Sequence, residues 1–173
     1  MKQLLLFVTT LFILASCKTS KDYLSRADED KTFFDVVKRL DKKSTDEDAL
    51  NALPQVYKTV QQKHLRKIAS LQNSKDINHW DKLIDEYYAL QNMYNATINT
   101  DAAARLINAV SYEAEIADTK QKAAEDYYTQ AMVLAQSNYR DEMKKAYDYF
   151  KKSDKWVPGY KDTRSKIDEA YQN

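Results

Sequence analysis

The chain has 173 residues, of which 43% are hydrophobic and 31% charged, with one Gly, two Pro and one Cys. A single Gly excludes most phosphate-binding loops and argues against a β-sandwich or barrel, whose many turns use Gly and Pro. One Cys excludes an intrachain disulfide framework, and two His leave little room for a His-rich metal site. The 27 basic and 26 acidic residues nearly balance, so the composition gives no electrostatic footprint for nucleic acid. These numbers predict one almost purely helical domain.

The first seventeen residues have the pattern of an export signal. Lys2 precedes an apolar run over residues 4–14, which has the length of a signal-peptide core and is too short to span a bilayer. The run ends in Leu-Ala-Ser-Cys at positions 14–17, which resembles the lipobox of bacterial lipoproteins. The resemblance implies that residues 1–16 are removed and that Cys17 carries acyl chains on its sulfur and amino group. An ordinary secretory signal with a chance Cys is the alternative.

The residues after Cys17 bear on location. Residues 17–29 are polar and predict a lipidated tether. In the best-known sorting rule for lipoproteins, Asp in the next position retains the protein at the inner membrane, so Lys18 favours the outer membrane. Surface-exported lipoproteins of some Gram-negative groups carry an acidic run directly after the Cys, whereas here the run lies at 28–30. We therefore expect a periplasm-facing protein, with surface display as the alternative and a Gram-positive host left open.

Hydrophobic spacing near 3.6 predicts helices through most of residues 30–173. The predicted helical segments cover about 31–40, 46–71, 77–97, 111–136, 140–153 and 161–171, with a short helical turn within 102–110. Asp46 or Thr45 is the predicted N-cap of the second segment. Pro54 lies inside that segment and is expected to kink the helix or to mark a restart. Leu65 belongs to its apolar stripe, and His64 is placed on its charged face.

An internal repeat is the main feature of the body. Polar breaks near Ser44, Thr100 and Pro158 are 56 and 58 residues apart, and each interval contains two long predicted helices. Three apolar residues of one interval match three of the next at an offset of 60: Leu83, Tyr87 and Leu90 with Met143, Tyr147 and Phe150. This predicts a duplicated helical hairpin whose copies stack, as in an α-solenoid. Unrelated antiparallel helix pairs in an irregular bundle are the alternative.

The second hairpin resembles a tetratricopeptide repeat (TPR). Ala146 and Phe150, followed by Pro158, match the family's second helix, in which a small residue and an aromatic residue pack on the first helix. Ala131 matches the position where the two helices cross closely. The period near 57 residues exceeds the ~34 of a standard repeat, and the Trp and Gly typical of the first helix of a repeat are absent from it. The resemblance implies an all-α, TPR-like solenoid over residues 30–173. In composition the chain also resembles short helical lipoproteins of Bacteroidota.

No residue pattern points to catalysis. His64 and His79 have no i, i+4 His partner and are predicted to be surface or half-buried residues. Neighbouring carboxylates, such as those at 85–86 and 141–142, point apart on a helix and are expected to be solvated. A Gly-flanked Ser elbow is absent from the sequence. We therefore expect no enzyme, no cofactor and no metal.

Tyr is the one unusual enrichment, with thirteen copies. Pairs recur once per long helix, at 87–88, 127–128 and 147–149. Packing is one interpretation, because Tyr fills helix interfaces and keeps its hydroxyl at the wet edge. In the other interpretation, the outer Tyr of each pair (Tyr88, Tyr128 and Tyr149) lines a concave groove that holds a peptide or a partner helix.

These observations predict an outer-membrane lipoprotein whose TPR-like body is a non-catalytic adaptor or scaffold. Its partner would be a cell-envelope complex for outer-membrane assembly, secretion or transport. The candidate partner-binding residues are Trp80, Tyr88, Tyr128 and Tyr149. A lipoprotein that binds a small ligand or glycan, with Trp80 and the Tyr pairs stacking on it, is the alternative. A plain spacer between membrane and cell wall is the third possibility.

Overall fold

A computed structural model describes residues 23–172. The predicted signal peptide, Cys17 and the first part of the tether lie outside these residues. Seven helices lie entirely within them: α1 (Glu29–Lys42), α2 (Glu47–Gln72), α3 (His79–Ile98), α4 (Asp101–Leu106), α5 (Glu113–Leu134), α6 (Arg140–Trp156) and α7 (Thr163–Gln172). This part of the chain contains no strand, which confirms the predicted all-α class.

The described residues form two compact units. The first contains residues up to Lys63 together with Asn92–Val110, and the second contains His64–Gln91 together with residues from Ser111 onward. The units do not coincide with the predicted hairpins, because α2 and α3 each contribute to both. Residues 30–173, predicted as a single domain, include both units.

In the first unit, α1 packs through one apolar stripe. Its buried apolar residues are Phe33, Val36, Val37 and Leu40, whereas Phe34 is 40% exposed. The Phe33 ring meets Tyr57 of α2 edge-on, with 5.9 Å between ring centroids. Helix α1 begins after Asp28, whose carboxylate accepts a hydrogen bond of 2.9 Å from the backbone N–H of Lys31. That cap satisfies one of the free donors at the helix start.

Asp46 caps α2, as one of the two predicted candidates. Its Oδ1 accepts a hydrogen bond of 3.1 Å from the backbone N–H of Ala49, and its Oδ2 lies 2.8 Å from Arg39 Nε. Arg39 also donates to the hydroxyl of Tyr23 at 2.9 Å. The guanidinium, followed by the backbone donor, holds the pKa of Asp46 below its usual value. One carboxylate therefore connects the start of α2 to α1.

Helix α2 continues through Pro54, so the predicted restart does not occur. The neighbouring Leu53 and Val56 are 0% and 3% exposed. Their burial on one continuous stripe outweighs the loss of the single backbone hydrogen bond that Pro cannot make.

The positions of His64 and Leu65 are the reverse of those predicted. His64 is 5% exposed, whereas Leu65 is 39% exposed. The reason is the helical spacing, because His64 lies four residues after Val60 and four before Ile68, which are both buried. Its Nδ1 lies 2.5 Å from Oε2 of Glu86 on α3, and Lys67 Nζ lies 2.8 Å from Oε1 of the same carboxylate. A buried histidine is tolerated here because a carboxylate partners it.

In the second unit, α5 packs against α6 and α6 packs against α7. Ala131 of α5 and Ala146 and Phe150 of α6 form one fully buried cluster. Small side chains allow the two helices to approach closely, and the Ser153 hydroxyl donates a buried hydrogen bond of 2.8 Å to the carbonyl of Ala124. The predicted turn before α7 contains Gly159 at φ 74°, a conformation that glycine adopts without steric cost.

Candidate functional site

The four residues predicted to bind a partner all lie in the second unit. Trp80 and Tyr149 both pack against a buried cluster of Ile84, Ala123 and Tyr127. Tyr128 and Tyr149 both pack against the Ala131, Ala146 and Phe150 cluster. Tyr88 belongs to neither cluster, is 38% exposed, and has Lys120 Nζ 5.1 Å from its ring centroid.

Tyr149 is directed into the helix packing, with its ring centroid 5.5 Å from that of Tyr127. Tyr149 is half-buried, and these contacts agree with the packing interpretation for it. Residues i and i+2 of an α-helix are about 200° apart around the helix axis, so Tyr147 and Tyr149 point to nearly opposite sides. Tyr147, the other member of the pair, faces a cavity instead. Whether Tyr149 affects partner binding stays a prediction.

Tyr128 is half-buried and held from two sides. Its hydroxyl donates a hydrogen bond of 2.6 Å to Oδ1 of Asp162. Its ring meets Phe150 and Tyr160 edge-on at 5.8 and 5.9 Å between centroids. The hydrogen bond to Asp162, followed by burial, raises the pKa of Tyr128 to about 12. These contacts agree with the packing interpretation for this tyrosine.

A cavity of about 680 Å³ lies between α6 and α7. Its lining combines apolar and aromatic side chains with two basic and two acidic ones: Met143, Tyr147, Ala170, Tyr171, Arg140, Lys144, Asp141 and Asp148. The ring centroids of Tyr147 and Tyr171 are 6.0 Å apart, and Tyr171 is 78% exposed. This surface combines aromatic side chains with charged side chains of both signs.

A second cavity, of about 230 Å³, lies between α3 and α5 and is closed at one edge by the end of α2. Its lining is Gln72, His79, Trp80, Leu83, Tyr87, Glu115, Asp118, Thr119 and Lys122. Trp80 is the one predicted site residue among them. The three outer tyrosines are not in this lining, whereas Tyr87, the inner member of the first pair, is.

Behind the indole ring of Trp80, a polar network connects α3, α5 and α6. Asp81 accepts hydrogen bonds from Lys152 Nζ at 2.7 Å, from the Tyr127 hydroxyl at 3.1 Å and from Trp156 Nε1 at 2.9 Å. Burial raises the pKa of Tyr127 to about 12, so its hydroxyl stays protonated at neutral pH and acts as a donor. The network links the three helices through a single carboxylate. Sequence spacing gave no signal for it, because its members come from distant segments.

Within residues 23–172, no group of three or more His, Cys, Asp and Glu is placed to hold a metal ion. None of the helices in this part of the chain combines the length and the hydropathy that crossing a membrane requires. Comparisons of the chain with protein-family models, curated proteins and solved structures gave no match. Function is therefore inferred from the residues and their geometry.

Proposed function

We propose that this chain is a lipoprotein anchored in the outer membrane through acyl chains on Cys17, with its helical body facing the periplasm. The body acts as a non-catalytic adaptor in a cell-envelope complex for outer-membrane assembly, secretion or transport. The lipobox-like residues 14–17 and Lys18 support the anchor and its location. Confinement to a membrane raises the effective concentration of partners on the same surface, so modest contacts suffice for capture.

The proposed architecture is a TPR-like stack of hairpins. Ala131, Ala146 and Phe150 pack in one fully buried cluster between α5 and α6, which is the contact that the resemblance implies between the two helices of a repeat. The hydrogen bond from Ser153 to the Ala124 carbonyl agrees with a close crossing of these helices. These contacts support one such hairpin, and the stacking of a second one on it is part of the proposal.

The α6–α7 cavity is the observation that carries the adaptor function. Leu83 and Tyr87 on α3 are 3% and 8% exposed and lie on the side of α3 that meets α5. Their counterparts at the offset of 60, Met143 and Tyr147 on α6, are only half-buried. Helix α6 thus presents a more open aromatic surface than α3, whose matching side is covered by α5.

An amphipathic helix is the partner segment that fits this surface. Its apolar stripe would contact Met143, Tyr147 and Tyr171. The partner helix would then cover α6 as α5 covers the matching side of α3. The rim offers Arg140 and Lys144 beside two carboxylates, so flanking charges of both signs on the partner helix would find opposite charges.

Site-specific photo-crosslinking in native membranes tests the proposal. A photoreactive phenylalanine analogue at position 147 of the full-length chain should give one discrete adduct with an envelope protein, and Met143→Asp should abolish it. The same probe at position 130, an exposed site on α5, serves as the control and should give no such adduct. No adduct at position 147 or at the predicted positions 88, 128 and 149 would contradict the adaptor function and favour a spacer.

A further inference from the structure

The α3–α5 cavity has an aromatic wall and an apolar floor. Trp80 and Tyr87 are seven residues apart on α3, close to two helical turns, so their rings lie on one face. Leu83, between them, is 3% exposed, and Thr119 of α5 is 5% exposed. Tyr87 is 8% exposed, so the part of the wall that the cavity offers to a ligand is mainly the half-buried indole of Trp80.

The aromatic wall is fixed in place before any ligand arrives. The Trp80 indole Nε1 donates a hydrogen bond of 2.9 Å to Oδ2 of Asp126, and Gln72 Nε2 lies 3.3 Å from the Tyr87 hydroxyl. The His79 ring centroid lies 4.3 Å from that of Trp80. A wall held in this way loses little side-chain entropy on binding.

The rim carries hydrogen-bonding groups of both kinds. Glu115 and Asp118 are acceptors, Lys122 is a donor that lies 2.8 Å from Asp118, and the Gln72 side chain is both. The ammonium group of Lys122 would repel a cationic ligand, and the two carboxylates would repel an anionic one. Neutral hydroxyl groups, which donate and accept, match the mixture best.

We propose that this cavity binds one neutral pyranose ring of a glycan. The apolar face of the ring would lie on Trp80, and its hydroxyl groups would reach the α5 rim. The volume of about 230 Å³ is below the roughly 300–1,000 Å³ of sites for drug-sized ligands, so one ring fits and a long oligosaccharide would extend into solvent. This site is independent of the proposed adaptor function, since it needs neither the acyl anchor nor a protein partner.

Nuclear magnetic resonance of the ¹⁵N-labelled mature chain tests this site with methyl glucoside and N-acetylglucosamine as probes. The indole N–H signal of Trp80 should shift with an apparent Kd of about 1–10 mM for at least one sugar. The indole signal of Trp156, which donates to Asp81 and does not line the cavity, should not move. The two tryptophans thus supply the site and its control in one spectrum.

Variants separate binding from folding. Glu115→Ala and Lys122→Ala should each weaken binding about fivefold with little change in Tm, because both side chains lie on exposed parts of α5. Lys120→Ala, on the same helix beside Tyr88, should bind normally. Trp80→Phe keeps the helix packed and should also weaken binding. No Trp80 shift with either sugar at about 50 mM, or a stronger shift with tetramethylammonium chloride, would overturn the proposal.

Discussion

The ammonium group of Lys152 on α6 lies 2.7 Å from the carboxylate of Asp81 on α3. These residues are 71 positions apart in the chain. Tyr127 and Trp156 donate to the same carboxylate, so Asp81 is the common acceptor for two helices other than its own. Because three donors depend on it, this carboxylate should contribute more to stability than a typical surface ion pair.

Asp81→Ala should lower the free energy of unfolding by about 2 kcal/mol, since a hydroxyl and an indole N–H lose their acceptor and a partly buried ammonium loses its carboxylate partner. Urea denaturation followed by circular dichroism measures the change. Asp118→Ala is the matched control, because Asp118 pairs with Lys122 on an exposed face and should change stability by less than about 0.5 kcal/mol. Equal losses in the two variants would contradict the importance assigned to Asp81.

The close crossing of α5 and α6 gives a second prediction. Ala146→Leu should destabilise the second unit by about 1–3 kcal/mol, because Ala146 is 0% exposed and has Phe150 and Ala131 in its cluster. Ala114→Leu, at an exposed position of α5, should be nearly neutral. Thermal unfolding of the two variants checks the difference, and a tolerated Ala146→Leu would argue against tight packing there.

Two tyrosines should resist ionisation. The pKa of Tyr127 is raised to about 12 by burial, and that of Tyr128 to about 12 by its hydrogen bond to Asp162. Absorbance at 295 nm should show them protonated above pH 11, whereas in urea all tyrosines should titrate near their ordinary pKa of about 10. Tyr127→Phe should remove one of the two late groups, and a native titration with no late group would contradict the assignment.

The same shifts predict how stability depends on alkaline pH. Between about pH 10 and 12 the unfolded chain has lost protons from these tyrosines while the folded chain retains them. Stability should therefore be full below pH 10 and should decrease as the pH rises toward 12. Urea midpoints across this range measure the decrease, which should be smaller in Tyr127→Phe.

At acid pH, stability should decrease as the pH is lowered, and the reason lies at the start of α2. The pKa of Asp46 is lowered by Arg39 and by the backbone N–H of Ala49, so the contribution of this carboxylate is present above its ordinary pKa and is lost as the pH decreases through the lowered one. Asp46→Asn should reduce stability at pH 7 and should weaken its dependence on pH below about 4. Urea midpoints measured at pH 7 and below about pH 4 test this prediction. Asp48→Asn, in the first turn of α2, is the control. Identical profiles for wild type and Asp46→Asn would contradict the role of the cap.

Local patterns made most of the helical structure predictable. The Asp46 cap and the buried stripe of α1 follow from neighbouring residues, and so does the Ala146–Phe150 spacing on α6. Contacts between distant segments were not predictable, because periodicity indicates which face of a helix is buried and does not identify the residue opposite. His64 shows the limit, since it was predicted on the charged face although its spacing from Val60 and Ile68 fits a buried position, and its partner Glu86 could only be found in three dimensions.

The candidate site was predicted less well for the same reason. The sequence shows the Tyr pairs, but the i, i+2 spacing of Tyr147 and Tyr149 does not indicate which member is exposed. The α6–α7 cavity depends on Tyr171, which the pairing pattern did not include, and the α3–α5 cavity uses Tyr87 together with polar residues of α5.

Mass spectrometry of the N-terminal peptide from membrane-purified protein tests the lipid anchor most directly. We predict a mature chain that begins at Cys17 and carries acyl chains on that residue, together with loss of membrane attachment in Cys17→Ser. A chain with an unmodified Cys17 thiol, or one cleaved elsewhere, would contradict the proposed anchor and with it the tethering mechanism.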